Sequence, residues 1–173
     1  TGPQQPADNK PIFDDKLETW VAPFFMAPIN TKNIHRSNAL MDHLYGKDFC
    51  YNEMWIQGPG EEGKAAADFI SSINPLGDAP KPGEGPSRES RENGNYDVLF
   101  CADVDNESVH VSVKGDMDPG YGSTSKMILE SALCLVQDCS ELGGGIYTPA
   151  PSMGVKLIDR LQAKAGLTFK IEA

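Results

Sequence analysis

Two alternating runs, NYDVLFCADV at 95–104 and ESVHVSVKGD at 107–116, flank Asp105 and Asn106, and this stretch constrains the fold more than any other. Asp and Asn tolerate the left-handed backbone that a two-residue hairpin turn demands. A turn at those residues sets Val98 opposite Val113, Phe100 opposite Val111 and Ala102 opposite Val109, all on one side. The other side pairs Asp97 with Lys114, Leu99 with Ser112 and Cys101 with His110. Successive side chains alternate faces, so a slip of one residue would carry the apolar set out of the core. Turn chemistry and pattern therefore demand the same antiparallel register.

The flanking segments add helices. From Thr31 to Tyr45 a helical period places Ile34, Ser37, Asn38, Met41, Leu44 and Tyr45 on one face, with Gly46 as C-cap. The preceding WVAPFFMAPIN is broken by Pro23 and Pro28 and reads as buried extended chain. FCYNEMWIQ (49–57) alternates as a strand, and GKAAADFISSI (63–73) reads as a helix. Residues 75–95 form a Pro/Gly-rich connection holding one helical turn, started by Ser87 and stopped at Asn93-Gly94. Residues 123–138 leave almost no polar face, which predicts a central, buried helix. GGGIYTPAPS gives a glycine turn, a short strand and a proline stop. Ser152 is the expected cap of an amphipathic helix with Leu157, Ile158, Leu161 and Ala165 inward, and LTFKIEA closes as a strand. The expected class is α+β: a largely antiparallel or mixed sheet with helices mainly on one face and no Rossmann domain. Polar residues 1–19 read as a poorly ordered arm or linker, and 20–173 as one domain.

Composition excludes several functions. Twenty-five acids against fifteen bases give a net charge of −10, which disfavours a nucleic-acid partner or an anionic membrane surface. No run approaches the roughly 18 apolar residues of a membrane span, and TGPQQPADNK has neither the basic start nor the apolar core of a signal peptide. Cytoplasm is the default compartment. Cys50, Cys101, Cys134 and Cys139 form no C-x-x-C, and His35, His43 and His110 are not at ligand spacing from them. Cys134 and Cys139 are about 140° apart around a continuous helix and so face different ways. All four read as reduced, structural thiols, with no metal.

GPGEEG (58–63) matches the G-x-G-x-x-G dinucleotide fingerprint, after a strand and before a helix. Glu61 and Glu62 would stand where a pyrophosphate needs positive potential. Asn52 and Glu53 do not suit a central parallel strand, and PLGDAPKPGEGP cannot be the next strand of a βαβ unit. The motif reads as a surface turn, with no cofactor site. KGDMDPGYGSTSK (114–126) also fails as a phosphate loop: Tyr121 stands where Lys is required, and Asp116 and Asp118 would repel phosphate. It remains a loop feeding a helix N-terminus. Lys126 there is either a surface partner of Glu130 or a pocket-lining cation. Arg36 is either part of a solvated face or an anion ligand, and His110 a surface or subunit-contact residue.

Taken in series, PFFMAPINTKNIHRSNAL, PGEGPSRESRENG, KGDMDPGYGSTSKMILESALCL and GGGIYTPAPSMGVKLIDRLQAKAGLTFKI resemble the C-terminal half of saccharopine dehydrogenase-like oxidoreductases. Within that family the likeness is to the trans-acting enoyl reductase branch, from about Trp20 to Ile171. The resemblance implies an N-terminal Rossmann domain that binds NAD(P) in the parent protein, with this chain on the substrate and oligomer side. It implies reduction of a carbon–carbon or carbon–nitrogen double bond by a nicotinamide hydride, with acyl or lipid-like substrates in the enoyl reductase branch. It carries over no catalytic residue. By position, the substrate-side candidates are Asn30, Arg36, Asp118, Tyr121, Ser123, Lys126 and Tyr147. A homodimer through the face bearing Leu99, Cys101, His110 and Ser112 is expected. The alternative is a free-standing ligand-binding or dimerisation module without catalysis.

Overall fold

A computed structural model describes residues 3–6, 9–73, 81, 83–105 and 107–172. The chain divides into two compact units, 1–79 and 80–173.

The first unit is a three-stranded antiparallel sheet of β1 (Ile12–Asp14), β2 (Thr19–Pro23) and β3 (Met54–Gly58), in that order. Residues 12–14 lie inside the expected arm, yet they pair with 19–21, and Phe13 meets the Trp20 ring edge-on at 5.6 Å. Between β2 and β3 the chain forms α1 (Ala27–Leu40). This helix opens four residues before Thr31, because Pro28 falls in its first turn, where a missing N–H costs nothing. It ends before the expected Gly46: Asp42 and His43 turn left-handed, and the buried Asn38 side chain holds that turn. The Asn38 amide donates to the Gly46 carbonyl (2.9 Å) and accepts from the Tyr45 N–H (2.8 Å).

The helix α2 (Gly60–Ser72) packs on β2 through buried Ala67, and the Lys64 ammonium lies 5.7 Å from the Trp20 ring centre. The strand before GPGEEG thus belongs to an antiparallel sheet. Its last glycine has a packing reason: a Cβ on Gly63 would fall 1.9 Å from the Gly58 carbonyl oxygen.

In the second unit, Ser87 caps the short α3 (Arg88–Asn93) as expected, its hydroxyl accepting from the Ser90 N–H at 3.1 Å. The hairpin follows as β4 (Tyr96–Val104) and β5 (Glu107–Gly115), with every pair in the register read from the pattern. Asp105 is left-handed at φ 49°, while Asn106 lies outside the described residues. After α4 (Gly122–Gln137) and α5 (Pro149–Lys164), β6 (Leu167–Glu172) pairs antiparallel with β5. Leu161 of α5, Ala165 just past its end and Leu167 of β6 form a core with Met127, Val113 and Phe169, on the apolar side of the hairpin. The class is α+β, as expected.

Four expectations fail here. The helix α4 is not buried, since Ile128, Leu129, Leu135 and Val136 stand exposed. Residues 143–148 form no strand. The helix α5 begins at Pro149, not after Ser152, because Pro149 and Pro151 suit a first turn. The Ser152 hydroxyl instead turns back to the Thr148 carbonyl (2.9 Å), and Gly154 breaks the helix at φ 51°. Finally, α4 ends at Gln137, so Cys139 is free to fold back, and it joins Cys134 and Met153 in one buried cluster.

Replacing Gly63 by Ala should destabilise the chain by about 1–3 kcal/mol, since backbone must move to admit the methyl group. Gly143→Ala, where a Cβ meets nothing within 4 Å, should change stability by less than about 0.5 kcal/mol. Urea unfolding of the two variants checks the contrast; equal midpoints would contradict it.

Candidate functional site

The segment from Gly115 to Lys126 is organised by Asp118. Its carboxylate accepts from the backbone N–H groups of Gly120 (3.0 Å), Tyr121 (3.0 Å) and Gly122 (2.5 Å), capping the start of α4. Its main chain is held on both sides: the Asp118 N–H donates to the Arg91 carbonyl (3.0 Å), and its carbonyl accepts from the Ser123 N–H (2.8 Å). The contact with α3 is close because a Cβ on Gly94 would meet Asp118 backbone at 2.7 Å. Two of the segments that carry the family resemblance, 82–94 and 114–135, thus pack against each other. Partial desolvation works to raise the Asp118 pKa, but the three N–H donors prevail and hold it below the usual carboxylate range.

The other residues of this region divide between internal bonds and exposure. The Ser123 hydroxyl is fully buried and shares a 2.8 Å hydrogen bond with the Tyr96 hydroxyl. Lys126 pairs with Asp116 at 2.8 Å, not with Glu130. The cation near the start of α4 is thereby compensated by an acid one residue past the end of β5. Tyr121 lies half-exposed, its ring against Gly85.

Glu130 is buried instead with Arg160 of α5. The Arg160 guanidinium donates to Glu130 (2.9 Å), Asp138 (2.6 Å) and Gln137 (3.2 Å), joining the two helices. The Asp138 hydrogen bond is the main reason the guanidinium pKa is raised, with Glu130 adding to it. Burial first, then neighbouring Cys139, pushes the Cys134 thiol up, as suits a structural cysteine.

Tyr147 is elsewhere. It lines an open, mainly apolar groove of about 570 Å³ with Leu135, Leu142, Ile146 and Met153, by the C-terminal end of α4. That end is about 20 Å from Tyr121 along the helix. Asn30 and Arg36 belong to the first unit, on different sides of α1. Asn30 donates to Glu53 (2.9 Å), and Glu53 also accepts from the Tyr51 hydroxyl (2.8 Å). Desolvation, followed by that carboxylate, pushes the Tyr51 phenol well above its ordinary range. The structure therefore gathers Asp118, Tyr121, Ser123 and Lys126 into one region and leaves Tyr147 apart within the same unit.

Sequence reasoning missed Tyr96, Asp116 and Arg160. Only Tyr96 carries a sequence signal: it shares the strand parity of Val98 and Phe100, the apolar side of the hairpin. Among the described residues no cluster could hold a metal ion, and no helix is long and apolar enough to cross a membrane.

An antiparallel α+β chain with a capped loop at a helix mouth is the class defined so far. Comparison with known proteins adds relatives. A Mycobacterium tuberculosis protein bearing the provisional name trans-acting enoyl reductase is 36% identical over 172 residues, covering 87% of this chain and 41% of that protein. The trans-acting enoyl reductases of Mycobacterium ulcerans and Mycobacterium bovis are 32% and 30% identical, each covering 82% of this chain and 39% of the relative. The chain is thus homologous to proteins named trans-acting enoyl reductase, and it spans about two fifths of their length. No family model and no solved structure matches it.

Acidification tests the cap. A lowered pKa means the contribution of Asp118 is complete above the carboxylate's unfolded-state pKa and is lost only as pH falls through the lower folded value. Amide exchange at Gly120, Tyr121 and Gly122 should stay slow through the ordinary carboxylate range and quicken below it. Asp118→Ala should raise exchange at these amides roughly tenfold at neutral pH. Unchanged exchange would show that the carboxylate does not hold the loop.

Proposed function

We propose that this chain is the C-terminal, substrate-side part of a longer, NAD(P)-dependent enoyl reductase of the saccharopine dehydrogenase-like type. The observation that carries the reading is the 36% identity to a relative of which the chain spans only 41%. The remainder of the polypeptide supplies the dinucleotide domain, and the reduced nucleotide delivers the hydride to an acyl substrate. GPGEEG takes no part in holding it: Gly63 packs against the Gly58 carbonyl, and acidic Glu61 and Glu62 occupy the first turn of α2.

At the loop after β5, the Tyr121 phenol is the group left to meet substrate, and the Lys126 ammonium, held by Asp116 but partly exposed, adds its remaining N–H groups. The Asp118 carboxylate is taken by backbone and the Ser123 hydroxyl by Tyr96. A phenol and an ammonium together suit a carbonyl oxygen or a protonation step next to one. A second copy is the proposed subunit partner, through Leu99 and Cys101; Ser112 on that face is covered by its 2.6 Å bond to Glu172. Light scattering that finds only monomer would remove the dimer.

Calorimetry with NADPH or NADH should give binding to the longer polypeptide and none to the 173-residue chain. In the longer polypeptide, Tyr121→Ala and Lys126→Ala should each lower kcat/KM for an enoyl thioester by at least about tenfold. Nucleotide binding by this chain alone would refute the division of labour. Unchanged turnover would take both side chains off the substrate side.

A further inference from the structure

The helix α4 is apolar around nearly its whole circumference, yet only one stripe of it is covered. Polar contacts determine which stripe. Ser123 bonded to Tyr96 and Glu130 bonded to Arg160 lie on the inward face with Met127 and Cys134, at helical spacing. That rotation turns Ser125, Ile128, Leu129, Ala132, Leu135 and Val136 outward, with no charge among them. Ile128 is 69% exposed, Leu129 58% and Val136 79%. Burying the stripe by rotating the helix would break both hydrogen-bonded pairs and take Glu130 away from Arg160. The exposed side is therefore locked, and a helix hydrophobic all round belongs inside a larger body. Its lower end runs into the groove beside Tyr147, because Leu135 lines both.

We infer that this stripe is the docking surface for the part of the same polypeptide that lies outside these 173 residues. The inference rests on the proposal of a longer reductase and assigns the surface by which its two parts join. Relatives leave more than half of their length unmatched, since the chain covers 41% of one and 39% of others. A contact between domains of one chain buries on the order of 600–1,500 Å², with a core depleted of charge. A helix face about 17 Å long, free of charge and extended by an apolar groove, suits the centre of such a contact.

The test uses the longer polypeptide with photoreactive benzoylphenylalanine at a single position, Leu129→benzoylphenylalanine or Val136→benzoylphenylalanine. Irradiation followed by mass mapping should join each position to a peptide outside residues 1–173, within one molecule. Two positions keep the test valid if one variant folds poorly. Attachment to residues 1–79, or between heavy- and light-isotope copies mixed before irradiation, would overturn the inference. So would the absence of any cross-linked peptide, or a native polypeptide no longer than this chain. NADPH titration of the same samples separates the two claims. Cross-linking without nucleotide binding would refute the reductase reading and keep the docking surface; binding without cross-linking would do the reverse.

Discussion

The second unit depends on one guanidinium. Arg160 reaches from α5 to Glu130 in the middle of α4 and to Asp138 just past its end, and both side chains of the Arg160–Glu130 pair are nearly buried. An apolar helix packed only through hydrophobic contacts has many rotations of similar energy. A buried acid has few, because a charge left without its partner costs several times what a misplaced methyl group does. The pair therefore works less as a source of stability than as a choice among rotations. Once made, that choice sets the positions of Ser123, Met127 and Cys134 on the inside and of Ile128, Leu129 and Val136 on the outside.

The same logic operates at the mouth of α4. Asp116 and Asp118 could have made the loop a repulsive, floppy connection. Instead, Asp118 satisfies three N–H groups at the helix start and Asp116 neutralises Lys126. Most of the polar atoms in the loop are thus consumed in building it. A loop that satisfies itself can hold Tyr121 in place at little entropic cost, which is what a substrate contact requires.

Legibility in the sequence followed the range of the interaction concerned. The hairpin register, the Ser87 cap and the α2 helix rest on residues within a few positions of each other or on a strict period of two, and all were readable. The start of α5 was misread because Ser152 is a good cap in isolation, while Pro149 and Pro151 fit the first turn equally well. Cys134 and Cys139 were set apart by assuming a continuous helix; the helix stops at Gln137 and brings them together. In the candidate site, Asp118 carried a signal in Asp-Pro-Gly, a turn-forming sequence in which the carboxylate commonly bonds backbone ahead of it. The partner of Lys126 carried none and that of Ser123 only a strand parity, since Tyr96 is supplied by β4 and Asp116 by the residue just past the end of β5.

By itself, the sequence determined the secondary structure of most segments, the register of the central hairpin and the α+β class, because turn preference and hydrophobic period act over short stretches of chain. The tertiary structure decided which side of α4 faces inward, which acid takes Lys126, and which candidate side chains remain open to a substrate. Those outcomes follow from charges and hydroxyls brought together from positions ten to thirty residues apart. A local pattern holds no record of such meetings, since an all-apolar helix satisfies the hydrophobic effect equally well in any rotation.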